Sequence, residues 1–322
     1  MNFLQMIINP CSITLQQNLL RKTEEREVWY GLLKKDEVII KINTNKEDRE
    51  YTRKEFKHTK LAYELCYKEL FIISKNPLPK PICFNERIVV LSYIKGEPRI
   101  WPLLRGNQMN YPEYRAAAKY LAKLHSISVR KTKGLEEDIY GGSSIDCKFK
   151  DDYKELYQNN VSKYAEELEY IYDYVPEVLR ESKQHSQDLV YSHGDFKPDN
   201  FVFEEHSLNY TYTGCNAIED KVDIGVIDWI DFGLRLRQYD VGSLLFGIQD
   251  LNKLNSLLDL YLKEANFEVA DKVKFLEEAI ALACIVHISA PLKHKEQSSL
   301  EKAAAYIEYT QKMLKELDKN GD

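Results

Sequence analysis

HGDFKPDN, His193 to Asn200, runs directly into an apolar triplet, FVF, at Phe201 to Phe203; after a polar excursion comes IGVIDWIDFG, Ile224 to Gly233. Two short strand-like runs that begin or end beside carboxylates predict a site built at strand ends. Asp195 sits in a turn-prone stretch, with Gly194 before it and Pro198 after it. Asn200 precedes the first apolar run, and Asp228 closes the run IGVI. Magnesium takes hard oxygen ligands and is held by one or two protein groups together with substrate phosphates. Asn200 and Asp228 have the chemistry for that, which leaves Asp195 to accept a proton from an alcohol. Singly, these motifs have plainer readings, since an Asp-Asn pair is an ordinary turn. The two halves in this order are far more specific.

Taken together, the two halves resemble the aminoglycoside phosphotransferase and choline kinase superfamily, small-molecule kinases with a protein-kinase-like fold. Its members carry His-Gly-Asp, four residues, then Asn, followed later by Ile-Asp-Phe or Ile-Asp-Trp; this chain has HGDFKPDN and Ile227-Asp228-Trp229. The resemblance implies a bilobal α+β fold, with a small β-rich nucleotide-binding lobe over residues 1–95. A larger, mainly helical lobe over residues 96–322 would carry catalysis and the acceptor. It implies ATP and Mg2+ as cofactors, Asp195 as the base, Asn200 and Asp228 as metal ligands, and His193 as a structural histidine in the loop. Protein kinases carry a lysine two residues after their catalytic aspartate. Lys197 stands there, either to neutralise charge on the transferred phosphoryl group or as a solvated loop lysine. The string DFG at Asp231 to Gly233 imitates the protein-kinase metal motif. Asp228 is the better match, because it follows the apolar run directly, and Asp231 is expected as a secondary ligand or an acceptor contact. Asp240, in YDVGSLL, is expected to cap a helix or tether the catalytic loop.

The N-terminal part supports the same order of elements. VWYGLLKKDEVIIKI, Val28 to Ile42, reads as strand, turn and strand, with the turn at Lys35-Asp36. Lys41 inside the second strand is either an edge lysine facing solvent or, as the resemblance implies, the lysine that holds the α- and β-phosphates of ATP. Gly31 is the only glycine nearby, so no glycine-rich phosphate loop is evident. Lys46 to Ile73 reads as a helix. It should supply a glutamate to Lys41; Glu64, beside Leu61, Leu65 and Cys66, is preferred, with Glu55 as runner-up. Pro77, Pro79 and Pro81 end the helix. A strand from Ile88 to Ile94 follows, where the resemblance places the adenine edge against the backbone of Ser92, Tyr93 and Ile94.

Composition sets outer limits. The chain has 322 residues, 44% hydrophobic and 30% charged, with a formal net charge of −6. That is long enough for two lobes. Lys and Arg are spread along the chain without a basic patch for nucleic acid. The six cysteines are scattered and form no CxxC, which argues against a disulfide framework or a zinc cluster. The start, MNFLQMIINP, has no secretory pattern, and no run reaches membrane-span length. The expectation is a cytoplasmic protein, a monomer or homodimer, with no membrane partner.

In the C-terminal part, Tyr111 to Ile127 reads as a helix ending in Leu124-His125, with His125 structural. Lys131 to Lys150 reads as a loop, and Asp151 to Leu179 as a long charged helical region. Glu204 to Asp223 reads as a surface insertion between the two motif strands. Helices are expected over Leu244–Ala265, Val269–Ser289 and Ser298–Leu317, with Pro291 separating the last two. The acceptor is expected to be a small molecule with a hydroxyl, aminoglycoside-like or otherwise cationic; choline, an amino sugar or homoserine are alternatives. A protein acceptor is disfavoured because no APE-type segment follows the metal motif. A nucleotide-binding scaffold without activity is disfavoured because Lys41, Asp195, Asn200 and Asp228 are all present.

Overall fold

Alternation of apolar residues builds the first sheet. The computed structural model describes residues 13–23, 26–33, 35–44, 49–98, 109–129, 145–158, 162–180, 189–204, 222–293 and 297–321. β1 (Ile13–Lys22), β2 (Arg26–Leu33), β3 (Asp36–Asn43), β4 (Pro81–Phe84) and β5 (Ile88–Ser92) form an antiparallel sheet in the order β1-β2-β3-β5-β4. β4 begins at Pro81, the last of the three prolines that end the helix. The β2–β3 hairpin closes on the pair Leu33↔Asp36, so Asp36 already belongs to the strand. Because side chains alternate across a strand, Val38, Ile40 and Ile42 share a face with Ile88 and Val90, and these pack with Trp29 into one core. The opposite face carries Lys41, paired with Val28 across the hairpin, and Arg26, paired with Asn43.

One helix follows this hairpin, α1 (Arg49–Leu70). Its buried residues Thr52, Glu55, Thr59, Ala62, Cys66 and Leu70 recur at helical spacing. Glu55 therefore lies in the inward stripe. Glu64 comes nine residues later, about two and a half turns on, and so falls on the opposite side.

The chain does not divide at one point near residue 95. Met1–Glu97 joins with Val202–Phe232 in one unit, and Pro98–Phe201 joins with Gly233–Asp322 in the other. The cause is strand pairing that sequence order does not display. β8 (Phe201–Phe203) lies between β6 (Glu97–Pro98) and β9 (Ile224–Val226) in a three-stranded sheet. The Val226 amide donates to Pro77 O at 2.9 Å, and Ser74 Oγ donates to Ile224 O at 2.6 Å. The Lys75 amide donates to the Asp223 carboxylate at 3.1 Å. Most of the expected 204–223 insertion lies outside the described residues, as do most of 98–110 and 131–144.

The second unit is mostly helical. α2 (Tyr111–Ser126) starts on a capping box: the Asn110 side chain accepts the Glu113 amide, and the Glu113 carboxylate accepts the Asn110 amide, each at 2.9 Å. The charged helical region expected over Asp151–Leu179 consists of three helices, α3 (Ile145–Gln158), α4 (Ser162–Tyr172) and the short α5 (Glu177–Arg180). β7 (Leu189–Ser192) pairs antiparallel with β10 (Gly233–Leu236). The helix expected from Leu244 is two, α6 (Arg237–Leu245) and α7 (Leu251–Glu264), followed by α8 (Lys272–Lys293) and α9 (Gln297–Gly321). Pro291 sits inside the last turn of α8 rather than between helices. Among the described residues no helix is long and apolar enough to cross a membrane.

α8 is apolar all round because it is enclosed: Ala279 to Ile285 are fully buried. α6 approaches it so closely that a Cβ on Gly242 would meet Ala279 O at 1.9 Å. Gly242→Ala must push the two helices apart. It is expected to lower stability by about 2 kcal/mol or more, read from the urea midpoint.

Candidate active site

The first unit assembles a charged cluster on three elements. Lys41 on β3 donates to the Glu55 carboxylate on α1, and to Asp228 Oδ1 at 3.0 Å. The Lys41 side chain is 15% exposed and that of Glu55 only 3%. Burial alone would lower the Lys41 pKa, but Asp228 and Glu55 outweigh it and hold the ammonium well above its ordinary value. The preferred partner Glu64 is not used. Its side chain is 56% exposed and pairs with Lys60 one turn back, at 3.7 Å. The helical register is the reason: Glu55 lies in the inward stripe, and Glu64 faces away from it.

Asp228 adopts a left-handed backbone conformation, φ 67° and ψ 57°, which Asp tolerates better than most residues. This reverses the chain between β9 and the single 3-10 turn Trp229–Asp231. Three residues later, Asp231 pairs with Lys54 at 3.3 Å and not with Lys41. The two aspartates are thus separated by partner, and the lysine on the strand goes to Asp228. Trp229 is fully buried and its indole N–H donates to Val226 O at 2.8 Å, which fixes the turn.

At the end of β5 the three expected adenine contacts are not equivalent. The Ser92 amide donates to Lys80 O at 2.9 Å and the Tyr93 amide to Glu37 O at 3.0 Å. Ser92 Oγ accepts the Lys80 amide at 2.7 Å. The donors of Ser92 and Tyr93 are committed to the sheet, which corrects the expectation that all three residues offer donors. Ile94 follows the strand with no such commitment.

The second unit holds the other cluster, built on the loop after β7. Asp195 Oδ2 accepts from Lys197 Nζ at 2.8 Å and from Asn200 Nδ2 at 3.0 Å. Asn200 Nδ2 also reaches Asp195 O at 2.8 Å. The amide nitrogen of Asn200 is therefore spent on the loop, and its carbonyl oxygen is the atom left to act as a hard ligand. Lys197 pairs with the carboxylate and is not a solvated loop lysine.

Asp240 is the tether. It lies inside α6, fully buried, and accepts the His193 amide at 2.8 Å and the Gly194 amide at 3.0 Å. Leu236 occupies the cap position of that helix, so Asp240 is no N-cap. Gly194 has φ 85°, a conformation that favours glycine. The Asp195 amide donates to His193 Nδ1 at 3.2 Å, so His193 holds the loop as expected. His125, from the end of α2, approaches Asp240 with Nε2 at 3.3 Å, and its Nδ1 meets the Tyr261 hydroxyl at 2.7 Å. The Asp240 carboxylate can only accept, so the imidazole proton sits on Nε2, and Nδ1 accepts from the Tyr261 hydroxyl, whose pKa burial pushes up to about 12. Burial also lowers the His125 pKa, which keeps the ring neutral. Burial would raise Asp240, but the His125 N–H and the nearby positive charge of Arg235 outweigh it and keep the carboxylate ionised.

Two groups escaped the sequence reading. His287 lies on α8 with Nδ1 3.9 Å from Asp195 Oδ1 and Nε2 3.0 Å from Ser243 Oγ, whose hydroxyl donates to Tyr239 O. A lone histidine in an apolar run gave no signal. Arg26 lies over the Tyr51 ring at 3.6 Å, beside the Lys41 cluster; it too belongs to no motif.

A β-rich unit with a strand lysine paired to a helical glutamate, and a helical unit with an Asp-x-Lys-x-x-Asn loop tethered from below, define a protein-kinase-like phosphotransferase. The sequence pattern of the phosphotransferase enzyme family, APH, matches residues 72–271, and the chain belongs to that family and is a small-molecule phosphotransferase. The fold is shared with aminoglycoside phosphotransferase APH(2'')-Ib in its ADP-bound crystal structure, at 18% identity, 97% of this chain, 98% of that chain and a TM-score of 0.59. It is shared with macrolide 2'-phosphotransferase MphH from Brachybacterium faecium at 13% identity, 95% and 98% coverage and a TM-score of 0.59. A microcompartment-associated aminopropanol kinase matches at 12% identity, 99% and 98% coverage and a TM-score of 0.63. At these identities the likeness speaks for the fold. Comparison with curated protein sequences finds no match.

Glu55→Gln leaves Lys41 with one carboxylate in a buried setting and is expected to cost about 2 kcal/mol or more. Glu64→Gln is expected to stay within about 0.5 kcal/mol of the parent. Urea denaturation of the two variants checks this.

Acid sensitivity follows from the tether. A histidine held below its ordinary pKa contributes stability that is complete above about pH 6.5 and is lost as pH falls through its folded value. Asp240, also held low, acts in the same direction near and below about pH 4. The urea midpoint of the parent is expected to drop between pH 7.5 and pH 5.5, and to drop less in His125→Gln.

Proposed function

We propose that the enzyme transfers the γ-phosphoryl group of ATP to a hydroxyl of a small cationic molecule, with magnesium required. The observation that carries the reading is Lys41, a buried ammonium oriented by Glu55 and Asp228. A positive charge held in this way is suited to the α- and β-phosphates. The donor sets also fit magnesium: one carboxylate, Asp228, and one amide carbonyl, Asn200, leave the remaining positions for phosphate oxygens. Magnesium held by Asp228 and Asn200 would supply positive charge to offset that of the phosphates. The Ile94 amide, with the backbone carbonyls beside it, is the proposed adenine contact.

Asp195 orients the acceptor hydroxyl and takes its proton as the new O–P bond forms. The γ-phosphorus bond to the bridging oxygen breaks, and the electron pair leaves with ADP. Lys197, already against the Asp195 carboxylate, is placed to offset charge on the phosphoryl oxygens. Such catalysis rests on position and electrostatics rather than on covalent chemistry by the protein.

A cationic acceptor is supported by the ligands of enzymes that share the fold. Two enzymes of this fold hold gentamicin and kanamycin in their structures, and another is an aminopropanol kinase; each of these molecules carries an amine.

The test is magnesium-dependent ATP consumption against a panel of amino alcohols, aminoglycosides, a macrolide and amine-free polyols. Turnover is expected with an amine-bearing member and is expected to vanish on chelation. Asp195→Asn is expected to keep ATP binding and lose about a hundredfold or more in kcat. Near-parental turnover in that variant would remove Asp195 as the base, and turnover confined to amine-free alcohols would remove the cationic acceptor.

A further inference from the structure

A nucleotide triphosphate needs more positive charge than one lysine supplies, and the glycine-rich loop that would cradle its phosphates with backbone amides is absent from the β1–β2 hairpin. Across the hairpin's end the Thr23 amide donates to Arg26 O at 2.7 Å and the Arg26 amide donates to Thr23 Oγ1 at 3.0 Å. Arg26 is the first residue of β2. Its pairing with Asn43, two residues along from the Val28↔Lys41 pair, puts its side chain on the Lys41 face of the sheet.

The guanidinium is held in place there. It lies over the Tyr51 ring at 3.6 Å, a contact between a cation and an aromatic face from the first turn of α1. Burial works against its charge, and the Tyr51 hydroxyl and the carboxylates of Glu55 and Asp228 more than compensate. Arg26 therefore sits in the same field as Lys41, held to Tyr51 through the ring and through a side-chain hydrogen bond. A planar guanidinium offers paired N–H donors that match phosphate oxygens in a way an ammonium does not.

We infer that Arg26 is a second phosphate-binding cation, a guanidinium that replaces the backbone amides of the missing glycine-rich loop. The inference rests on the reading of ATP as phosphoryl donor. It goes further by assigning the polyphosphate grip to a residue outside every motif of the sequence. Tyr51 positions that residue, and Lys41 and Arg26 hold the phosphate chain from neighbouring points of one sheet face.

The experiment is calorimetric titration of the full chain with ATP and, separately, with adenosine, in magnesium. The parent, Arg26→Gln and Arg26→Lys are compared, and thermal melts confirm folding. Arg26→Gln is expected to weaken ATP binding about tenfold or more while leaving adenosine binding unchanged. Arg26→Lys keeps the charge without the fork and is expected to fall between the two; it carries the test if the glutamine variant does not fold. ATP affinity within about twofold of the parent in both variants, with the parent binding ATP, would overturn the inference alone. An equal loss of ATP and adenosine would assign Arg26 to packing against Tyr51 and overturn it as well. Failure of the parent itself to bind ATP would remove the donor reading and the inference together.

Discussion

The carboxylate of Asp240 is the constraint on which the second unit depends. An ionised carboxylate taken out of water costs several kcal/mol unless donors surround it. Here the donors are the backbone amides of His193 and Gly194 and the imidazole of His125. The charge is tolerable only if the loop runs as it does, so folding the helix that carries Asp240 also selects the loop conformation that presents Asp195. Tyr261 and Arg237 extend the network, since Arg237 donates to the Tyr261 hydroxyl at 3.3 Å. The geometry of the Asp195 loop is thus fixed from behind, by Asp240 and His125, as positions stiffened by a supporting shell are.

The first unit solves a different electrostatic problem. Arg26, Lys41 and Lys54 stand among Glu55, Asp228 and Asp231, and the pairs are sorted: the buried lysine takes Glu55 and Asp228, and the more exposed Lys54 takes Asp231. The sorting follows geometry. Glu55 is in the inward stripe of α1, Asp228 turns towards Lys41 through a left-handed residue, and Asp231 comes one short turn later. A cluster balanced in this way keeps its cations in place when no anionic ligand is present.

Much of this was legible. The motif at 193–200 gave the loop, the Ile-Asp-Trp motif gave the aspartate that meets Lys41, and alternation in Val28 to Ile42 gave the hairpin. The bilobal α+β class followed from the family resemblance carried by those two motifs. What failed did so for physical reasons. The choice of Glu64 over Glu55 rested on apolar neighbours in sequence, whereas the buried stripe of α1 includes polar Thr52 and Thr59, which disguised it. The single break near residue 95 missed the return of Val202–Phe232, because pairing of β8 and β9 with distant backbone leaves no local signature. The splitting of the helix expected from Leu244 at Phe246 to Asp250 came from caps and turns, which apolar spacing does not report. Arg26 and His287 carry no motif; only register and packing place them.

That return also dictates an order of assembly. A growing chain that has made residues 1–97 still lacks the strand and turn that complete the first unit, and these arrive only with residues up to 232. Between them comes Pro98–Phe201, which belongs to the other unit and itself waits for the residues after Phe232. The two units are interleaved, each held open by a segment the other interrupts. The first unit is complete only once Phe232 has been made, after the whole of Pro98–Phe201, and the second only with the residues that follow; a fragment cut at the first crossing would expose Ser74, Lys75 and Pro77 without their partners.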